Sequence, residues 1–217
     1  MISFFKELKF YLSLFAAWLL VGIVIIAATD KLELHIWFNG FHETWANHVF
    51  KNATHLAEGL FIAFTIVLIA VRKIRYGVIA GLSFALAGLS AQLLKRQVFS
   101  DFKRPSKVFE NIAELQFVPG VDLHANFSFP SGHSTMAFAI FLSYAFVFRK
   151  HPTGQIIAFC FAMLTAFSRV YLSQHFFEDI YAGSVLGTSS VLLMLYAFRH
   201  QTWGEEGLFD KITHNRK

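Results

Sequence analysis

Six apolar segments constrain this chain more than any other feature; they run over roughly residues 8–29, 56–71, 77–94, 132–149, 155–173 and 176–198. Each holds about 16–23 residues, close to the roughly 20 that a helix needs to cross a bilayer. Hydrocarbon offers the backbone no hydrogen-bond partner, so each segment is expected to be a helix. The chain is 55% hydrophobic and 15% charged, whereas soluble domains are about 45–50% apolar and about 25% charged. The expected fold class is therefore all-α: one domain over residues 1–217, a bundle of six transmembrane helices. No A-x-A cleavage site follows the first segment, which reads as a retained helix and not a signal peptide. The second segment is short and is expected to extend into the polar stretch before it.

Charge fixes the expected orientation. Lys6 and Lys9, then Arg72, Lys73 and Arg75, then Arg149 and Lys150, then Arg199, Lys211, Arg216 and Lys217 all fall on one side of six spans. That side is expected to be the cytoplasm. The net charge of +5 follows from these loops. It does not form the basic stripe with aromatic platforms that nucleic-acid binding requires, and no such partner is expected. One connection departs from the rule. The stretch 95–131 lies outside by parity, yet carries Lys95, Arg96, Lys103, Arg104 and Lys107. Cations retained on that side call for a functional reason. The only cysteine, Cys160, sits in an apolar run and is expected to be a small core residue. The glycine pairs Gly77/Gly81 and Gly183/Gly187 suggest close helix packing within the bundle.

Parity also gathers the polar residues. The outer ends of the third to sixth segments bring together Lys95 and Arg104, then Ser131, Gly132 and His133, then Ser168 and Arg169, then His175 and Asp179. Ionisable groups at membrane depth mark functional sites by default. Pro130-Ser131-Gly132-His133 opens a helix, where free N–H groups and the dipole attract an anion. Gly132 permits close approach to the backbone. His133 then stands beside that anion, able to move a proton near neutral pH. Arg104 and Arg169 present planar forks suited to phosphate oxygens. His175 and Asp179 are four apart and are expected to share one helix face, the carboxylate orienting the ring for attack. By itself Asp179 reads better as a helix cap, and headgroup anchoring is the lesser alternative for the arginines.

In these residues the chain resembles the type 2 phosphatidic acid phosphatases, or lipid phosphate phosphatases. Ser168-Arg169, five residues, His175, three residues and Asp179 match their SRxxxxxHxxxD motif. Residues 130–133 match their PSGH motif, and Arg104-Pro105 matches the end of their first motif. The family places a lysine seven residues before that arginine, where this chain has Gln97. A bulge at the end of the third helix would restore Lys95 to the role; Arg96 and Lys103 are the alternatives.

The resemblance implies a mechanism and an active site at the outer membrane–water interface. His175 attacks phosphorus and forms a phosphohistidine. Asp179 orients it, and His133 protonates the leaving oxygen and later activates water. Lys95, Arg104, Ser131, Gly132 and Arg169 hold the phosphate. No metal or other cofactor is implied. The expected partners are a lipid phosphate substrate and the surrounding membrane lipids. The candidate substrates are undecaprenyl diphosphate, phosphatidylglycerophosphate, phosphatidic acid and lipid A phosphates, among which the motifs do not choose. The expected location is a bacterial inner membrane, with the site facing the periplasm or cell exterior. The alternatives are a phosphotransferase that passes the group to a lipid hydroxyl, a transporter, and more distantly a haloperoxidase. Three features stay open at this level. His35, His42, His48 and His55 recur at intervals of seven, six and seven and suit either metal binding or an interface. Glu58, near the start of the second helix, suits either pairing with a site cation or a plain interfacial position. The stretch 107–129, with Phe109, Phe117, Phe127 and Phe129, suits a lid or a lipid-facing edge.

Overall fold

A computed structural model of the protein describes residues 3–201 and 203–204. The basic tail residues Lys211, Arg216 and Lys217 lie outside the described residues. The helices are α1 (Ser3–Glu7), α2 (Lys9–Ala28), α3 (Lys31–Asn39), α4 (Thr44–Ala53), α5 (Gly59–Arg72), α6 (Ile74–Leu93), α7 (Pro105–Val108), α8 (Gly132–Val147), α9 (Pro152–Tyr171) and α10 (Phe177–Ala197), and the described residues contain no strand.

Helix α8 is the axis of the bundle. It packs against α9, α10 and α6, and less extensively against α5. Its Ala137–Leu142 run is buried throughout. Small residues let α10 lie against it. A Cβ on Gly183 would stand 2.6 Å from the Ser131 carbonyl oxygen, and one on Gly187 would stand 2.1 Å from that of Thr135. Gly77 serves α5 and α6 in the same way, since a Cβ there would come within 2.4 Å of the Ala70 Cβ. The expected role of these glycines in packing is met, except at Gly81, which has room.

Helix α2 joins through a narrow seam of Leu8, Tyr11, Phe15, Trp18 and Gly22, spaced three and four apart. Trp18 donates its indole N–H to the Ser184 hydroxyl at 2.8 Å, and the Tyr181 hydroxyl donates to the Leu19 carbonyl at 3.0 Å. The other faces of α2 are exposed and apolar, with Leu20 at 69% and Val24 at 63%. In water such a surface would be unstable, and in a bilayer it is solvated by acyl chains. Cys160 is exposed on α9 and is not a core residue as expected, because it falls outside that helix's buried stripe.

Four helical stretches are long and apolar enough to span a membrane: Lys9–Ala28, Ile74–Val98, Pro152–Tyr171 and Phe177–Ala197. A fifth forms if Thr44–Ala57 and Gly59–Arg72, bent by 59°, act as one. The expected sixth span, α8, has only 16 residues. Its neighbours enclose it, so it has little contact with lipid. The expected extension of the second segment is present, but it turns away at Glu58 instead of continuing straight.

One end of the bundle collects the short basic connections. Arg149 donates to the Tyr76 hydroxyl and pairs with Glu7, and Arg75 donates to the Phe198 carbonyl. The other end is capped by α3, α4 and the 95–131 connection. Asn39 and Gln116 exchange two hydrogen bonds, and Lys51 donates to the Pro119 carbonyl. Phe109 is buried with Leu115 and Phe176, whereas Phe117 and Phe127 are exposed. This connection is therefore partly cap and partly open edge.

Candidate active site

Residues 130–133 and 168–179 fall at the capped end, and a turn between α9 and α10 carries the centre. Arg169 lies in the last turn of α9, and its carbonyl accepts from the N–H groups of both Gln174 and His175. Ser173 sits in the left-handed region at φ 51°, so the chain doubles back there. Asn39 donates to the Ser173 hydroxyl, and His35 Nε2 lies 3.2 Å from it. His175 therefore precedes α10 instead of lying on it, which corrects the expected shared helix face. Asp179 reaches back from the first turn of α10. Its Oδ2 accepts from the Phe176 N–H at 2.9 Å, from the Ser128 hydroxyl at 2.5 Å and from His175 Nδ1 at 3.2 Å. Capping and orienting, which the sequence offered as alternatives, are performed by one oxygen. The contact occupies Nδ1 and leaves His175 Nε2 available to another group.

His175 is 1% exposed and Asp179 is fully buried. Burial holds the His175 ring well below the ordinary imidazole range, with Arg104, Lys95 and Arg169 adding to the effect and the Ser128 carbonyl opposing it. Near neutral pH the ring is thus uncharged, the form an attacking imidazole needs.

The cations come from three directions. Residues 94–98 form one π-helical turn, closed by the Phe99 N–H donating to the Leu94 carbonyl at 2.8 Å. This widened turn buries Lys95 and leaves Arg96 and Gln97 exposed. Lys103 instead donates to the Asn126 side chain. Arg104 donates through Nε to the Asn126 carbonyl and through Nη1 to both oxygens of Gln174. Arg169 donates to the Thr54 hydroxyl at 2.6 Å, while its buried Nε has no partner. Three buried or half-buried cations with so few counter-charges are chemically suited to a multiply charged anion.

The N-terminus of α8 faces the same place. Ser131 is the N-cap, accepting from the Ser134 N–H at 3.3 Å, so Gly132 and not Pro130 begins the helix. The Ser131 N–H donates to the Asp179 carbonyl, which fixes α8 against α10. Nothing lies within 4 Å of where a Cβ on Gly132 would be. His133 lies within electrostatic reach of Arg169, His175, Arg104 and Lys95, and its Nε2 is 3.8 Å from Glu58. Glu58 also lies 2.9 Å from His55, so it meets one histidine of the site, His133, and one outside it.

The other histidines disperse. His35 is buried, stacked on Phe109, and pushed down to about 4, chiefly by burial. His42 stacks on Tyr171 with its Nε2 3.0 Å from that residue's carbonyl. Among the described residues, no group of three or more His, Cys, Asp or Glu is placed to hold a metal.

Two residues escaped the sequence reading. Gln174, 1% exposed, accepts from Arg104 and, at 3.5 Å, from Arg169, and it donates to the Asp122 carbonyl. Ser128 holds the Asp179 carboxylate. The available signals were a glutamine next to the candidate nucleophile and a serine two residues before Pro130.

A model of the PAP2 superfamily matches residues 76–203. Over 158 residues the chain is 32% identical to phosphatidylglycerophosphatase B of Bacillus subtilis, covering 67% of this chain and 71% of that protein. It is 33% identical over 112 residues to a lipid A 1-phosphatase of Rhizobium johnstonii, 52% of this chain and 43% of that one. The fold is similar to the crystal structure of a transmembrane PAP2-type phosphatidylglycerolphosphate phosphatase from Bacillus subtilis, with a TM-score of 0.64 at 26% identity, over 94% of this chain and 99% of that one.

Proposed function

The chain belongs to the PAP2 superfamily, and we propose that it is a membrane lipid phosphatase in which His175 takes the phosphoryl group. The observation that carries the reading is a neutral, Asp179-held histidine facing three cations. The Nε2 lone pair of His175 attacks phosphorus. The bond from phosphorus to the lipid oxygen breaks, and protonated His133 gives that oxygen its proton. His133 then takes a proton from water as the water attacks the phosphohistidine. The phosphorus–nitrogen bond breaks and inorganic phosphate leaves. Lys95, Arg104, Arg169 and the Gly132 N–H stabilise the charge on the equatorial oxygens at both steps. Ser131, already bound as a cap acceptor, still has a hydroxyl proton to donate.

The protein is multi-pass, and the basic connections at the opposite end of the bundle support a site facing the periplasm or cell exterior of a bacterial inner membrane. The decisive assay is phosphate release by the purified protein in detergent from phosphatidylglycerophosphate, undecaprenyl diphosphate, phosphatidic acid and lipid A, with acid-quench capture of the phosphoenzyme. Turnover and trapped phosphohistidine are expected, both lost in His175→Ala. A His175→Ala protein that forms phosphohistidine at normal speed would transfer the nucleophile's role to His133. For orientation, cysteines placed at Asn111 and Lys150 are treated with an impermeant reagent in cells whose outer wall is permeabilised. Position 111 should label; labelling of position 150 alone would invert the topology.

A further inference from the structure

The lipid-phosphatase reading leaves some outward-facing cations without a task. Lys95 and Arg104 serve the phosphate site, Lys103 is engaged by Asn126, and Lys107 pairs with Glu110. Arg96 remains. It lines an open cavity of about 350 Å³ whose walls also include Lys95, Arg104, His124 and Asn126. No carboxylate lines this cavity. Among the described residues, the side chains of Arg96 and His124 make no hydrogen bond or ion pair, and both are exposed. The cavity shares Lys95 and Arg104 with the reaction site, so an anion held in it would be continuous with the phosphate under attack.

The positions of these groups follow from the fold. The π turn that buries Lys95 turns the next residue, Arg96, outward. The 122–127 segment is anchored opposite it: the Arg104 N–H donates to the Ala125 carbonyl, the Ser128 N–H to the Phe102 carbonyl, and Ser106 to the His124 carbonyl. His124 is therefore carried on a tied strand of chain rather than a free loop. A cation, an imidazole and an amide around one open cavity match the oxygens of a phosphate group.

We propose that this cavity binds a second phosphoryl group of the same substrate molecule. The preferred substrate class is then a lipid with two phosphates near one another, either a diphosphate or a phosphodiester bearing a terminal phosphate. A lipid with a single phosphate monoester is handled less well. The inference rests on the lipid-phosphatase reading, and a matched substrate series separates the two.

The test compares kcat/KM for a prenyl diphosphate and the prenyl monophosphate of the same chain, and for phosphatidylglycerophosphate and phosphatidic acid with the same acyl chains. Each is measured in the unaltered protein, in R96Q and in H124Q. Both replacements are on exposed positions, so folding should be retained, which detergent melting curves check. R96Q should lower kcat/KM for the two-phosphate substrates by about ten- to a hundredfold, the range for one charge-assisted hydrogen bond, and change the monophosphates less than about threefold. H124Q should act in the same direction. An equal loss on all four substrates, or a loss that vanishes when anionic host lipid is removed, would overturn the inference in favour of a headgroup anchor. No loss on any substrate would overturn it as well. If the unaltered protein releases phosphate from none of the four and none from lipid A, the lipid-phosphatase reading itself fails; release from lipid A alone would overturn the cavity inference and leave that reading standing.

Discussion

Replacing Asp179 by Asn separates the two tasks that its Oδ2 performs. That oxygen accepts from Ser128, from the Phe176 N–H and from His175 Nδ1. An amide of the same shape keeps one oxygen, so the Phe176 contact survives and the cap loses little, within the roughly 1 kcal/mol such caps contribute. The same oxygen can still accept from His175 and Ser128, while the NH₂ group takes the Oδ1 position, which has no partner. If the amide flips, all three contacts are lost. In either arrangement the charge that steadies the imidazolium as it forms is gone. The site is fully buried, so water cannot replace it. The expected loss in kcat is on the order of 10²–10⁴, or about 3–5 kcal/mol, as for other orienting carboxylates. Binding of vanadate, a mimic of five-coordinate phosphorus, should weaken much less than turnover falls. Ser128→Ala removes one donor to the same oxygen and should cost about five- to fiftyfold, consistent with one hydrogen bond to a charged group. The assay is single-turnover phosphoenzyme formation, with melting temperature recorded in detergent. An Asp179→Asn protein within tenfold of normal speed and equally stable would refute the orienting role.

Other expectations use different parts of the structure. Because burial and Arg104 lower the His175 pKa, its neutral form persists below pH 6.5 and the acid limb of kcat/KM should lie below that value; Arg104→Gln removes the largest charge cause, so the limb should move up, and an unmoved limb would assign it to another group. Lys95→Met should reduce turnover by at least about a hundredfold while Gln97→Met changes it little, since only position 95 is buried at the site; equal small effects would shift the role to Arg96 or Lys103. Gly187→Ala puts a methyl 2.1 Å from the Thr135 carbonyl oxygen, so α8 and α10 must separate, and the protein should lose about 1–3 kcal/mol, read as a lower melting temperature in detergent. Activity should persist in EDTA and be blocked by vanadate, because the cation cluster neutralises the phosphate; complete loss restored by magnesium would contradict this.

The bundle was legible in the sequence because bilayer thickness leaves a hydrophobic segment few alternatives. Observed helix ends lie within a few residues of the apolar boundaries. The candidate residues were legible too, since parity of the spans sent distant polar residues to one end. Lys95 was recoverable only by assuming a bulge, and the π turn at Leu94–Val98 supplies one. Sequence distance alone could not tell whether the extra residue lay in the helix or in the loop.

Three outcomes needed the tertiary structure. His175 and Asp179 meet across a helix cap, because the left-handed turn at Ser173, a local geometry that periodicity does not encode, sets the ring before α10. Gln174 and Ser128 became visible only when their partners, distant in sequence, were seen within hydrogen-bond reach. The lipid exposure of Cys160 and the enclosure of α8 depend on which neighbours surround each helix. Composition settled that this chain lives in a bilayer and which residue types reach one of its faces. Packing decided which atoms there touch, because hydrogen bonds and burial are properties of pairs, and a single sequence states only their members.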